Sequence, residues 1–145
     1  MKKNKSYSFF LVLFFLLAFS QQGKDYRKET ENFLRDRILR EAEWAMSQQP
    51  ETITSFPCPR SKGGLHDFYS EGDYWWPNPD DPDGPYIRRD GETNPDNFVM
   101  HRLAMIRFSK IVGYLSSAYL LTHDESYVEH AWKHIRAWFI DPRTL

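Results

Sequence analysis

Two adjacent indoles, Trp75 and Trp76, close the run His66-Asp67-Phe68-Tyr69-Ser70-Glu71-Gly72-Asp73-Tyr74-Trp75-Trp76-Pro77. Flat indole faces on a proline-flanked loop suit the apolar C–H faces of sugar rings. The alternative is that both pack the loop onto its neighbours, and the pair reads as offering one face to a ligand. Arg88 and Arg89 follow, in Gly84-Pro85-Tyr86-Ile87-Arg88-Arg89-Asp90-Gly91. Their guanidinium forks fit carboxylates bidentately, or else pair with Asp81, Asp83 or Asp90. Neighbouring side chains diverge, so at most one of the two arginines faces a site. Glu71 and Asp73 could form the acid–base pair of a glycoside hydrolase, but carboxylates beside a glycine also satisfy loop N–H groups, which fits them better. His66 and His101, in and beside the aromatic run, are candidates for sugar contacts. His130 and His134 share a helix face, yet the intervening Ala-Trp-Lys lacks the glutamate of a zinc-hydrolase motif, so they read as packing or surface residues. The run from Asn78 to Gly84 carries oxygen ligands without the order or terminal glutamate of a calcium loop, and reads as turns. No metal and no cofactor is expected.

The elements that must position these residues differ sharply along the chain. Residues 51–95 hold seven of the nine prolines, five of the seven glycines and seven aromatics, with no sustained periodicity. A spacer would be polar, so this segment reads as a long ordered loop that carries function, with short strands near 68–69 and 86–88. Helices flank it. Phe33, Leu34, Ile38, Ala42, Ala45 and Met46 recur at three- and four-residue steps and predict a helix over 25–48. Asn94-Pro95 has the chemistry of a helix start, which predicts a second helix from there to about Leu121. Its apolar residues surround much of the axis, so it should be buried on several sides. Tyr127, Val128, Ala131, Ile135, Trp138 and Phe139 predict a third over 125–140, started by Thr122 or Asp124 and stopped by Asp141-Pro142. The short turn between the last two makes them an antiparallel hairpin.

At the amino end, Lys2, Lys3 and Lys5 precede the apolar run of residues 9–19, and Ala18 and Ser20 have small-x-small spacing. Residues 1–20 therefore read as a cleaved signal peptide, with 21–145 as the mature portion in the periplasm or outside the cell. No stable membrane anchor is expected after cleavage. Without the three leader lysines the chain counts 16 basic against 20 acidic side chains, a net charge of −4. That disfavours a nucleic-acid partner held by bulk charge. The lone Cys58, between Pro57 and Pro59, excludes a disulfide framework and reads as a small buried residue. Three helices cannot enclose one that is apolar all round, so the chain is expected to be the opening part of a larger helical array, inactive and poorly folded alone.

The stretches GGLHDFYSEGDYWWPNP, GPYIRRDG and NPDNFVMHR, followed by the 109–127 hairpin and HAWKHIRAWFIDP, resemble the alginate lyase family of polysaccharide lyases over residues 55 to 145. The resemblance implies an all-α fold, here a partial (α/α) toroid of antiparallel hairpins with the aromatic loop lying over a substrate cleft. It implies β-elimination on a uronate polymer, an anionic polysaccharide partner, and catalytic groups lying beyond Leu145. It further implies substrate contacts from Tyr69, Trp75, Trp76, Tyr86, Arg88 and Arg89, with His66, Asn97 and His101 as secondary ones. His123 departs from the glycine usual at that helix end. Two other readings remain: a toroidal glycoside hydrolase using Glu71 and Asp73, and a non-catalytic carbohydrate-binding module.

Overall fold

The structure, a computed structural model, describes residues 26 and 28–144. The signal-peptide reading of residues 1–20 lies outside the described residues. The chain divides into two compact units, Met1–Glu41 and Ala42–Leu145. Helix α1 covers residues 28–46. Here Phe33 is 86% exposed, and Arg37 and Glu41 pair one turn apart at 4.0 Å.

The second unit is mainly helical, with two long helices and a small ribbon. A 3-10 turn at Ile53–Ser55 precedes strands β1 (Trp75–Trp76) and β2 (Ile87–Arg88), then helices α2 (Met100–Thr122) and α3 (Glu125–Phe139). Ala45, Ile111, Leu115 and Ala131 form one core cluster, flanked by Met46, Tyr114 and Tyr127. Ile53, Ala104 and Trp138 form a second, flanked by Phe56, Met105 and Phe108. Alanines at 45, 104, 118 and 131 let helices approach closely. Ile111 and Leu115 fill the seam, each contributing about 1.5–3 kcal/mol by burial. The α2–α3 connection is two residues. His123 takes the left-handed conformation (φ 59°) and its N–H donates to Tyr119 O at 2.7 Å. Asp124 then caps α3, accepting from Ser126 N at 2.9 Å. Of the two caps open in the sequence, the structure selects the aspartate.

Three expectations need correction. Helix α2 begins at Met100, not at Asn94-Pro95. The Asn94 side chain forms a turn instead, with Oδ1 accepting from Asp96 N at 3.0 Å and Nδ2 donating to Asn97 Oδ1 at 2.9 Å. Strand pairing falls at 75–76 and 87–88, not at 68–69, because the Tyr69 N–H donates to the His101 ring at 2.9 Å rather than to a strand. Helix α2 is buried along one stripe rather than on several sides. Leu103, Ile106 and Leu120 stand 44–73% exposed, because α3 and the segments before α2 cover one side of it. Cys58 is half-buried, between two exposed prolines.

His130 and His134 lie inside this unit, one turn apart with ring centroids 5.2 Å apart. His130 Nε2 meets Gln48 O at 3.0 Å, while His134 is 1% exposed and its Nε2 has no partner among the described residues. Burial first, and then the charge His130 would carry, hold the His134 imidazolium below the ordinary range. The unfolded chain therefore takes up a proton that the folded one resists. Stability should be complete above about pH 6.5 and fall as the pH drops from there towards the depressed folded value. Urea midpoints at pH 7 and pH 5 should show this limb. His134→Phe should flatten it, and an unchanged slope would remove His134 as its source.

Candidate functional site

The ribbon sets the directions of the aromatic and basic doublets. Trp75 pairs with Arg88 and Trp76 with Ile87, in antiparallel register, and Arg89 N donates to Tyr74 O at 2.8 Å beyond the pair. Paired residues share a face and neighbours alternate. Trp75 and Arg88 therefore project to one side, Trp76 and Ile87 to the other. Trp76 is held there: its Nε1 donates to Glu92 O at 3.0 Å and the Arg89 guanidinium lies 4.7 Å from its ring centroid. Arg89 also approaches Glu92 at 3.8 Å. Trp75 is 44% exposed. Its indole lies against Gly72, where an added Cβ would fall 2.6 Å from the ring, so any larger residue at 72 would push the indole away.

On the Trp75 side lies an open cleft of about 300 Å³, lined by Tyr69, Ser70, Glu71, Gly72, Trp75 and Tyr86. Its floor is an anion. The Glu71 side chain is 5% exposed, and four donors reach it. Tyr86 Oη (2.6 Å), Tyr69 Oη (3.3 Å) and Arg60 Nη1 (3.0 Å) converge on Oε1, and Phe98 N (2.6 Å) donates to Oε2. Arg60 is tied in turn to Asp96 O through Nη2 at 2.7 Å. Burial, the neighbouring Tyr86 hydroxyl and the Glu71 charge push the Tyr69 phenol well above its ordinary value. Both hydroxyls aim at one carboxylate.

The remaining candidates hold the loop. Asn97 Nδ2 donates to Gly72 O at 2.7 Å. His101, 2% exposed, accepts from Tyr69 N on Nδ1, which leaves Nε2–H to donate to Phe56 O at 2.7 Å. Its ring packs edge-on against Phe98 and tilted against Phe68. Asp73 is half exposed and pairs with Arg102 at 2.7 Å. Arg88 pairs with Asp90 at 2.8 Å, both side chains well exposed. His66 is exposed beside the turn closed by Asp67 N to Gly64 O, and does not line the cleft. In the Asn78–Gly84 run, Asn78 Oδ1 accepts from Asp80 N and Gly84 N donates to Asp81 O, which are turn bonds.

Of the residues singled out in the sequence, Tyr69, Trp75 and Tyr86 therefore meet at one cleft, with Arg88 on the same face of the ribbon. Trp76 and Arg89 face away. Asn97 and His101 lie behind the wall. Arg60 was not legible as part of this arrangement. It lies eleven residues before Glu71 with no periodic relation to it, and the intervening loop, not a helix or strand, brings the two together.

A profile of the family described as alginate lyase matches residues 52–145. None of the curated proteins compared matches the chain. A crystal structure of an alginate lyase from Bacteroides ovatus is similar, with 35% identity and a TM-score of 0.61. The match covers 75% of this chain and 29% of that one, so the chain spans less than a third of its relative's length.

Proposed function

The chain belongs to the alginate lyase family, and from that premise we propose that its cleft holds a uronate polymer for cleavage by β-elimination in the whole protein. In that reaction the substrate's carboxylate is neutralised, which acidifies the neighbouring C5 proton. A base takes this proton, the C4–O4 bond breaks, and an acid returns a proton to the leaving O4. The part of this chain is to hold the polymer. Trp75 offers a half-exposed indole to a pyranose face, beside the Tyr69 and Tyr86 rings. Arg88 stands on the same face in an exposed pair with Asp90. Such a pair is worth at most about 1 kcal/mol, so a substrate carboxylate can replace the aspartate at little cost. The observation that carries the reading is the open cleft lined by Trp75, Tyr69 and Tyr86, with Arg88 paired to Trp75 on the same face of the ribbon. A hydrolase using Glu71 is less well supported, since four donors engage that carboxylate.

The test is to treat a polyuronate with the protein in its whole form. An unsaturated, ultraviolet-absorbing sugar end is the expected product, and a saturated reducing end would overturn the reading. Trp75→Ala should weaken affinity for a uronate oligomer about tenfold, roughly 1.4 kcal/mol. Unchanged affinity would remove Trp75 from the site.

We also read α2 and α3 as one hairpin of an (α/α) toroid. An apolar groove of about 310 Å³ runs between them, lined by Leu115, Tyr119, Leu120, Val128 and Trp132 among others. Leu120 and Trp132 are more than half exposed. Further helices packed on this face would cover them. A structure of the whole protein with both side chains still in solvent would contradict the toroid.

A further inference from the structure

Resting on the cleft as the uronate site, we propose that Glu71 is its positioning residue: one buried carboxylate that fixes both tyrosine rings of the wall and, with Arg60, keeps that wall uncharged towards an anionic polymer.

The four donors to Glu71 come from four separate stretches of chain. Arg60 lies in the loop after the 3-10 turn, Tyr69 precedes Glu71 by two residues, Tyr86 leads into β2, and Phe98 lies just before α2. No periodic element spans these stretches, so the anion is where they meet. Both phenols converge on the same oxygen, Oε1, and neither hydroxyl can turn into the cleft without giving up that bond. The tyrosines are thereby held as walls rather than as proton carriers. The Arg60 guanidinium at 3.0 Å cancels the charge of Glu71. Without it, a carboxylate lining the cleft would repel a carboxylated sugar.

The constellation demands an anion. A glutamine fills the same space but has only one acceptor oxygen. Its amide nitrogen must then face either the Phe98 N–H or the Tyr–Arg side, setting donor against donor. Glu71→Gln should therefore leave the cleft's size unchanged and release its tyrosines.

The readout is the Tyr69 phenol, followed by carbon NMR of ring-labelled tyrosine and assigned with Tyr69→Phe. In the unsubstituted protein it should resist ionisation well past the ordinary tyrosine value. In Glu71→Gln it should titrate at distinctly lower pH, because a neighbouring negative charge and its hydrogen bond are gone. Glu71→Asp keeps the charge but draws the carboxylate back from both hydroxyls, and should shift Tyr69 in the same direction, which keeps the test open if Glu71→Gln does not fold. An unmoved Tyr69 titration in every folded variant overturns the proposal.

Binding of a saturated uronate oligomer supplies the second arm. Glu71→Gln and Tyr86→Phe should each weaken it, and the double variant should lose less than the product of the two, since both act through one contact. Fully multiplicative losses overturn the shared role. Absence of oligomer binding by the unsubstituted protein would refute the uronate cleft itself, while the tyrosine titration would still decide what Glu71 does.

Discussion

Replacing Glu71 with leucine should lower the unfolding free energy by about 3–5 kcal/mol, because a fixed N–H and two phenols lose their acceptor at about 1–3 kcal/mol for each group left buried and unpaired. Leucine fills much of the same volume, so the loss is one of bonding rather than packing. The Tyr86 and Tyr69 hydroxyls, the Phe98 N–H and the Arg60 guanidinium all lose their acceptor together. Arg60, 40% exposed, can turn to water, but the Phe98 N–H is fixed just ahead of α2. The internal comparison is Asp73→Ala. Asp73 also sits in a carboxylate–arginine pair, with Arg102 at 2.7 Å, but its side chain is 52% exposed. That substitution should cost no more than about 1 kcal/mol. Urea melts of the two variants decide the matter, and equal midpoints would mean that the Glu71 clasp contributes no more than a surface pair.

His101→Phe should be nearly as damaging, at about 2–4 kcal/mol. Phenylalanine preserves the ring and its packing against Phe68 and Phe98. What it removes is an acceptor for Tyr69 N–H and a donor to Phe56 C=O, at a position 2% exposed. Each buried backbone group left without a partner costs about 1–3 kcal/mol. The damage should be local first. Amide exchange at Tyr69 and its neighbours should quicken by more than that of the α2–α3 seam, because His101 ties two loop strands to a helix rather than helix to helix. His101→Gln, which carries both a donor and an acceptor, should recover part of the loss. Equal protection in the phenylalanine variant and the parent would refute the strap.

Both predictions turn on contacts that periodicity does not encode, and they mark where the sequence could be read and where it could not. Helix α3 was legible almost to the residue, since Tyr127, Ala131 and Trp138 recur at helical spacing and Asp124 and Asp141-Pro142 bound them. Local chemistry misplaced the start of α2. Asn-Pro is a sound cap signal, but the Asn94 amide reaches back to Trp75 O at 3.3 Å and is held in a turn. Trp75, Tyr69 and Tyr86 could be nominated by type and by segment. Which of the two indoles faces the cleft could not, because strand parity is set by pairing with residues a dozen positions away. Glu71 and Arg60 show the same limit for charge. A carboxylate beside glycine announces a holding role, but not that its partner cation comes from the turn after Pro59.

The doublets Trp75-Trp76 and Arg88-Arg89 have a consequence for how the protein can change. Most ribbons resist a one-residue slip because the slip exchanges apolar and polar faces. Here either parity presents an indole and a guanidinium, so side-chain type discriminates weakly between registers. The choice falls to the main chain: Arg89 N on Tyr74 O, Asn94 N on Asp73 O, and the Asn94 amide on Trp75 O. A one-residue slip between the strands would thus keep an aromatic, basic face over the cleft while exchanging only one partner, Arg89 for Arg88 beside Trp75. The duplicated residues give this ribbon a tolerance to such a slip that an alternating sequence would lack.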